Sequence, residues 1–328
     1  MAGNDFVISD NASLKANSAL SDKSRQRLGK SKSDNTIKAY SADWRDFTDW
    51  CTYHKVTALP AAPETIVNYI NDLADNAKAN TVSRRITAIS ENHIAAGYDR
   101  DANPAKAGIV RFAISAIRRE KGTFQHGKSP ILLETVQLLA GNFTADDLPS
   151  LRDKALLLLG FAGAFRRSEL VSVQAEDLTF TPQGLLVFIP RAKGDQFGQG
   201  STIAIPFAPD AKICAVRAVK EWLDASGIKA GPLFRPFTKS QTLRPVQLSD
   251  KSVALIVKKH IKNAGLDEKD FAGHSLRRGF ATSAAQHDID TLSIMRQTRH
   301  KSEKMVHRYI EQGNLFKENP LGRMFNKH

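Results

Sequence analysis

The sequence predicts a mainly α-helical protein of two domains that contains one small β-sheet or hairpin. Apolar side chains recur at helical spacing through most of the chain. Only two runs, Leu185–Ile189 and Ser201–Phe207, have the β-branched composition typical of strands. Residues 121–130 carry two glycines, a proline and few apolar side chains, which indicates a linker between domains. A length of 328 residues suffices for two hydrophobic cores.

The segment between residues 31 and 120 has helical spacing and no strand pattern. The first helix, Thr36–Trp50, carries aromatic and aliphatic residues three or four positions apart. Pro63 opens the second helix, because proline fits the first turn. A third begins near Asn80, and a fourth covers Ala107–Arg119. Residues 1–30 are polar with weak periodicity, and we predict a flexible tail there.

The elements after the linker combine helices with the hairpin. Two helices come first, followed by the two strand-like runs, which a glycine-containing turn from Arg191 to Gly200 would join. Helical spacing then resumes in five segments. The helices predicted in this domain are residues 132–139, 151–162, 213–225, 253–265, 275–287, 291–299 and 302–309.

Composition favours a polyanionic partner and excludes several other classes. The net charge is +13 and the pI is near 9.7. Only two cysteines occur, Cys51 and Cys214, far apart and without metal-ligand spacing, which indicates a reducing compartment and no disulfide framework. No apolar run has the length of a membrane span, and the polar N-terminus lacks the apolar segment of a signal peptide. We therefore expect a cytoplasmic protein without membrane association.

Three short blocks gather residue types suited to phosphodiester chemistry. They supply Arg166 and Glu169 in Gly-Ala-Phe-Arg-Arg-Ser-Glu-Leu, His274 and Arg277 in His-Ser-Leu-Arg, and His300 nine residues before Tyr309. Breaking DNA without a metal requires a nucleophile, positive charge on the phosphate oxygens and an acid for the departing sugar oxygen. Arginine suits the second task because its planar guanidinium binds two oxygens at once and remains charged. Tyr309 is the one tyrosine after Tyr98 and is the candidate nucleophile.

The blocks, taken in order, resemble those of the tyrosine recombinases, the phage integrase family. The resemblance covers roughly residues 34–320. It implies a helical, SAM-like core-binding domain at 31–120, the linker at 121–130, and an α+β catalytic domain at 131–328 that ends in a tail at 315–328. The family's hairpin lysine falls on Lys193, in Arg-Ala-Lys-Gly-Asp.

The resemblance also implies a role for each residue. Arg166 and Arg277 would clamp the scissile phosphate, and Tyr309 would attack it to form a 3′-phosphotyrosyl link. Lys193 would protonate the 5′-oxygen, and His274 would assist proton transfer to or from Tyr309. His300 would hydrogen-bond a non-bridging oxygen, and Glu169 would orient the site from behind.

Further expectations follow from the same resemblance. The phosphotyrosyl bond conserves the energy of the DNA backbone, so no cofactor or metal is implied. The partner would be a double-stranded DNA recombination site, bound by a homotetramer. The protein would be of bacterial or phage origin and associated with the nucleoid. The tail 315–328 would pack into a neighbouring protomer, although it could instead fold back on its own domain. A type IB topoisomerase-like enzyme that relaxes DNA and a DNA-binding protein without catalysis are the alternative functions.

Two positions depart from the family's usual pattern. Arg299 stands before His300, where the family usually has glycine, and Phe165 stands where it more often has leucine. Neither change removes a catalytic group. We expect Arg299 to alter how the helix that carries the nucleophile is positioned.

Contacts to DNA from the N-terminal domain and the linker rest on basic and hydroxyl side chains. A basic, hydroxyl-rich helix start after Asn80 is suited to phosphate contact. The alternative for each residue is a solvated helix face. The candidates are Lys38, Arg45, Lys78, Thr81, Ser83, Arg84, Arg85, Arg118, Arg119, Lys121 and Lys128.

Overall fold

The computed structural model describes residues 21, 23, 24, 27, 31–124, 127–144, 146–190, 200–314, 321 and 324. The chain divides into two compact units, residues 1–126 and 127–328, and the division lies inside the segment 121–130 that resembles a linker. The described part is helical apart from one small antiparallel sheet, so the predicted fold class is confirmed. None of the described helices combines the length and apolar character needed to cross a bilayer.

Helices form the first unit wherever it is described. Ser33 caps the first helix by accepting a hydrogen bond from the Thr36 amide, and Pro63 occupies the first turn of the second. Their apolar faces meet in a core that includes the fully buried Phe47 and Ile70. The helices are α1 (Asp34–Tyr53), α2 (Pro63–Asn76), α3 (Ala79–Ala95) and α4 (Gly108–Lys121).

The second unit combines helices with a three-stranded antiparallel sheet. Its helices are α5 (Leu133–Gly141), α6 (Leu148–Ala162), α7 (Arg167–Ser172), α8 (Ala215–Ser226), α9 (Asp250–Asn263), α10 (Ser275–Gln286), α11 (Thr291–Thr298) and α12 (Glu303–Asn314). The strands are β1 (Leu178–Thr181), β2 (Gly184–Ile189) and β3 (Ser201–Pro206). The order is β1-β2-β3, with Leu185 opposite Ile205 and Val187 opposite Ile203. These four side chains are buried, which fixes the register because a slip by one residue would expose them.

Strand β1 was not among the predicted strands. It is four residues long and its two central residues are exposed, so it lacks the alternation of a half-buried strand. The predicted pairing of the two longer strands is confirmed. Residues 191–199 of their connection, which include Lys193, lie outside the described residues.

Helix α10 is held against the rest of the second unit by close backbone approaches. A Cβ atom on Gly279 would lie 1.7 Å from the carbonyl oxygen of Ile131, so this position accepts only glycine. A Cβ atom on Gly313 in α12 would lie 3.0 Å from the carbonyl oxygen of Thr282 in α10. The two helices therefore pack closely, with Ala281, Ala285 and Val306 buried between them and α11.

Candidate active site

The turn between α6 and α7 positions Arg166. Helix α6 ends at Ala162, and Ala164 adopts a left-handed φ of 44° that redirects the chain before the buried Phe165. The backbone N–H of Arg166 donates to Oε2 of Glu169 at 2.9 Å, and its Nη1 donates to Oε1 at 2.6 Å. A carboxylate that reaches back to the amide of the N-cap is one half of a capping box. Glu169 thus fixes both the backbone and the guanidinium of Arg166.

Arg277 projects from α10 toward the same turn. Its side chain is buried, and Nη1 donates to the carbonyl oxygen of Ala164 at 2.7 Å. Nη2 is buried and has no hydrogen-bond partner within the part of the chain that is described. Burial, followed by repulsion from Arg166 and Arg299, lowers the pKa of Arg277 to about 9. The guanidinium is still charged at neutral pH, so the site holds a buried positive charge that an anion would stabilise.

Glu169 contacts Arg166 and Arg299, and it is the one carboxylate of the described residues that pairs with an arginine of this site. Oε2 also accepts a hydrogen bond from Nη2 of Arg299 at 3.0 Å. Burial acts to raise the pKa of Glu169, but its ion pair with Arg299 and its hydrogen bonds from Arg166 outweigh burial. The pKa therefore lies below its ordinary value, and the carboxylate stays ionised. The site therefore holds three arginines and one carboxylate, and its net charge is positive.

His300 follows α11, and Thr298 fixes its orientation. The hydroxyl of the buried Thr298 donates to the carbonyl oxygen of Ile294 at 2.6 Å and lies 2.7 Å from Nδ1 of His300. Because the hydroxyl proton is used on Ile294, a hydrogen bond between the two side chains requires that Nδ1 of His300 be the donor. In the neutral ring the lone pair then lies on Nε2.

The charge state of His300 depends on its arginine neighbours. Burial, followed by the positive charges of Arg277, Arg166 and Arg299, lowers the pKa of His300 to about 4. The ring is therefore neutral at neutral pH. Nε2 can accept a proton, and it can donate a hydrogen bond only after an anion has raised the pKa of this ring.

Tyr309 lies on α12 beside His300. The two ring centroids are 5.8 Å apart with an interplanar angle of 33°. Tyr309 is half-buried against the cluster formed by Ala281, Ala285, Ile294 and Val306. Its oxygen is close enough to Arg277 to act on the pKa of that guanidinium. Helix packing thus brings the candidate nucleophile to the arginine site.

Of the two remaining catalytic candidates, the structure describes His274 and does not describe Lys193. His274 is exposed at the N-cap of α10, three residues before Arg277 and hence one helical turn away. Lys193 lies outside the described residues. Arg166, Glu169, Arg277, His300 and Tyr309 come together in the structure. Arg299 also belongs to this site, through its ion pair with Glu169. It was not among the predicted site residues, and its occurrence at a position that usually holds glycine is the sequence signal for it.

The DNA-binding candidates of the first unit fall into two groups. Arg85 is half-buried, pairs with Asp43 and Asp46, and donates to the hydroxyl of Tyr69. Arg84 pairs with Asp43 at 2.9 Å, although its side chain is 45% exposed. Thr81 and Ser83 are half-buried, and Ser83 accepts a hydrogen bond from Arg118 at 3.0 Å. The exposed candidates are Lys38, Arg45, Lys78, Arg84, Arg118, Arg119 and Lys121, together with Lys128 in the second unit.

Comparisons with known proteins agree on one family. The model of the phage integrase family matches residues 134–314. An integrase/recombinase xerD homolog of Selenomonas ruminantium is 71% identical over 322 residues, which cover 98% of this chain and 94% of that protein. A match of this extent includes both units of the chain.

Solved structures share the fold at low sequence identity. The XerH site-specific recombinase bound to a palindromic difH substrate has a TM-score of 0.66 at 15% identity, covering 99% of this chain and 91% of that one. A lambda integrase tetramer bound to a Holliday junction has a TM-score of 0.56 at 15% identity, covering 88% and 75%. The likeness shows a shared two-domain fold.

The family match and the 71% identical relative show an enzyme that breaks and rejoins DNA. The chain belongs to the phage integrase family and is a tyrosine recombinase.

Proposed function

We propose that Tyr309 attacks the scissile phosphate while Arg166 and Arg277 hold its non-bridging oxygens. The carrying observation is that both arginines are anchored on one turn, Ala164–Glu169, while Nη2 of Arg277 lacks a hydrogen-bond partner within the described structure. A phosphate would supply both the missing acceptor and the missing negative charge. Donors fixed before the reaction stabilise the charge that grows on the phosphate as the nucleophile attacks.

The proposed cleavage step transfers the scissile phosphate from the 5′-oxygen to Tyr309. The phenolic oxygen of Tyr309 bonds to phosphorus as the bond from phosphorus to the 5′-oxygen breaks. The departing oxygen keeps the electron pair of that bond and takes a proton from Lys193, while His274 accepts the proton that Tyr309 loses. The product is a 3′-phosphotyrosyl link and a free 5′-hydroxyl. Attack by another 5′-hydroxyl on the link reverses each transfer and rejoins the strand.

His300 would act on a non-bridging oxygen in this scheme. Its Nδ1–H is held by Thr298, and its Nε2 is the ring nitrogen left to meet the substrate. The negative charge of the phosphate offsets the arginine charges that keep the pKa of His300 low. Binding of DNA would therefore favour protonation of Nε2, which then donates to the phosphate.

DNA binding would involve both units. The exposed basic residues of the first unit, together with the linker, would contact phosphates on one part of the duplex while the catalytic unit holds the cleavage site. Arg84 and the half-buried Arg85 already pair with acids of their own unit. For this reason the remaining exposed lysines and arginines are the stronger candidates.

Recombination requires four strands to be cut and rejoined, so we propose a homotetramer on two DNA sites. The tetrameric lambda integrase on a Holliday junction supports this, because it shares the fold. Residues 315–328 would pack into a neighbouring protomer. Deleting them should leave single-site DNA binding intact and abolish tetrameric complexes, and normal recombination by the truncated protein would refute the role of the tail.

Incubation with supercoiled plasmid separates the candidate functions. Plasmids with and without a recombination site are incubated with the protein, and the products are resolved by gel electrophoresis. A site-specific recombinase exchanges strands only on plasmids that carry the site. General relaxation of both plasmids would favour the topoisomerase-like alternative, and binding without product would favour a protein that lacks catalysis.

A further inference from the structure

Arg299 lies at the centre of the arginine site with its side chain 9% exposed, and it uses both terminal nitrogens. Nη2 donates to Oε2 of Glu169 at 3.0 Å and to the carbonyl oxygen of Ala164 at 3.1 Å. Nη1 donates to the carbonyl oxygens of Gly163 at 3.1 Å and of Gln297 at 2.9 Å. The guanidinium carbon lies 5.1 Å from the centre of the Phe165 ring, the second unusual residue of the chain. The two departures from the family's pattern are therefore in contact with each other.

Two of the four acceptors of Arg299 also accept hydrogen bonds from Arg166 or Arg277, the two arginines that would clamp the phosphate. Glu169 binds Arg299 through Oε2 and Arg166 through Oε1. The carbonyl oxygen of Ala164 accepts from Arg299 at 3.1 Å and from Arg277 at 2.7 Å. Arg299 thus shares one acceptor with each arginine that would hold the phosphate. A shift of Arg299 would alter the anchor of both.

The position of Arg299 is unfavourable by itself. Its backbone has φ 56° and ψ 40°, a left-handed conformation that glycine adopts more readily. Its charge adds to those of Arg166 and Arg277 in a buried site, and repulsion from Arg299 contributes to the low pKa of Arg277. A residue held against backbone preference and charge repulsion requires strong compensating contacts. Here those contacts lie on residues 163–169, the segment that carries Arg166, and on Gln297 at the end of α11.

We propose that Arg299 is a positioning residue that braces Arg166 and Arg277 in the geometry that receives the scissile phosphate. The proposal rests on the function assigned above to the two arginines. Lysine cannot replace this brace, because an ammonium on a flexible stem lacks the planar fork that holds Glu169 and three backbone carbonyls together. Since Arg299 also ends α11, the brace ties the segment that leads to His300 to the same turn.

The variant Arg299→Gly removes the guanidinium and keeps the backbone conformation at this position. Glycine accepts a φ of 56° without strain, so the variant should fold with its turn intact. We expect the affinity for a recombination-site duplex to stay within about 3-fold, because the phosphate contacts of the rest of the surface are unchanged. The single-turnover rate of covalent adduct formation should fall by about 100-fold, the loss that follows from slight misplacement of catalytic groups.

Two further variants distinguish bracing from simple packing. Arg299→Lys should remain at least about 10-fold slower than the wild type, because it keeps the charge and loses the fork. Millimolar guanidinium ion should partly restore Arg299→Gly and leave Arg299→Lys unchanged. A wild-type cleavage rate in Arg299→Gly would overturn the proposal, and so would a wild-type rate in Arg299→Lys.

Arg152 offers a matched control in the same unit. It is a buried arginine whose nitrogens donate to Asp153 and to the carbonyl oxygen of Arg235, and it lies over Phe237 at 4.9 Å. Neither acceptor is shared with Arg166 or Arg277. Arg152→Ala should lower the Tm and leave the cleavage rate of the folded protein unchanged, and a loss as large as that in Arg299→Gly would overturn the proposal.

A double-mutant cycle with Glu169 tests the shared acceptor. If Arg299 acts through Glu169, the combined loss in Glu169→Gln with Arg299→Gly is smaller than the product of the single losses. Fully multiplicative losses would overturn the proposal. Failure of the wild type to form any adduct at Tyr309 would instead refute the proposed function, so the two failures are distinguishable.

Discussion

The two units of the molecule each contain a cluster of arginines and carboxylates, and the clusters differ in charge balance. In the first unit, Arg84 and Arg85 meet two acids, Asp43 and Asp46, and the hydroxyl of Tyr69 joins them. In the second unit, Arg166 and Arg299 share the single carboxylate of Glu169, and Arg277 binds only a carbonyl oxygen within the described structure. The charges of the first cluster balance, with two arginines and two acids. The second cluster has three arginines and one acid, so its net charge is positive.

The pKa values of the buried carboxylates express this difference. Burial raises the pKa of Asp43 above its ordinary value, and the attraction of Arg84 and Arg85 does not cancel it. At Glu169 burial acts in the same direction, but Arg299 and Arg166 outweigh it and the pKa falls. Arginine content alone therefore does not mark an anion site. An anion site is marked by arginines whose charge no carboxylate neutralises in the folded protein.

The largest effect expected from this comparison is on Arg277. Arg277→Ala should slow covalent adduct formation by roughly 100-fold or more, because a preorganised donor to the transition state is worth about 3 kcal/mol. A scissile methylphosphonate removes one oxygen's charge and should partly restore the variant. Single-turnover cleavage assays measure both. Wild-type rates in Arg277→Ala would show that the surplus charge of the second cluster does not serve catalysis.

Lys193 tests the division of labour between charge and proton transfer. We expect Lys193→Ala to be about 100-fold slower on ordinary DNA, the usual size of a lost general acid. A substrate with sulfur at the 5′-bridging position needs no proton to leave, so the variant should recover on it while Arg277→Ala does not. Equal behaviour of the two variants on the sulfur substrate would remove Lys193 from the role of acid.

The salt dependence of DNA binding tests whether the exposed basic residues of the first unit contact phosphates. Binding of the full chain to duplex DNA should weaken steeply with salt, with log K falling at about 0.9 per phosphate contacted on a log-salt scale. The fragment 129–328 should bind more weakly and with a smaller slope, because the exposed basic residues of the first unit are missing. Titrations at several salt concentrations measure the slope. Equal slopes would mean that the exposed basic residues of the first unit contact no DNA phosphate.

The smallest effect concerns two histidines with low pKa values. Burial lowers the pKa of His93 in the first unit, whereas at His300 burial is joined by repulsion from three arginines. A cognate duplex should therefore raise the pKa of His300 from about 4 by a unit or more and leave that of His93 unchanged. NMR titration of the histidine Cε1–H signals reports both values. An unchanged His300 would mean that no phosphate reaches the arginine site.

The low pKa of His300 also makes the stability of the DNA-free protein depend on pH. The pKa of His300 lies below its unfolded value of about 6.5, so the unfolded state binds the proton first as the pH falls. The stability associated with the neutral ring is complete above pH 6.5 and is lost progressively between about pH 6.5 and pH 4. His300→Asn should make the Tm less sensitive to pH across this window.

Local pattern was enough for most of the fold and for the core of the site. Helices such as α2 (Pro63–Asn76) follow from helical spacing and a proline start, and the pairing of β2 with β3 follows from two adjacent β-branched runs. Arg166, Arg277 and Tyr309 were found because short motifs carry them. Their convergence in one site required the packing of α10 against α6 and α12, which no local pattern encodes.

What the sequence did not provide are contacts between distant residues. Arg85 appeared exposed toward DNA because Asp43 and Asp46 lie some forty positions earlier in the chain. Arg299 appeared as an isolated departure because its partners, Ala164 and Glu169, lie about 130 positions away. In both cases the partner of a charged side chain decides its role, and that partner is set by tertiary structure.

The central claim is that Tyr309 forms the covalent link to DNA, and trapping tests it most directly. A recombination-site duplex with a nick beside the cleavage position loses its short 5′-hydroxyl strand after attack, so religation fails and the adduct accumulates. The wild type should give a protein–DNA band that resists denaturation, and peptide mapping should place the DNA on Tyr309. Tyr309→Phe should bind the duplex with unchanged affinity and give no adduct. An adduct that persists in Tyr309→Phe would contradict the account.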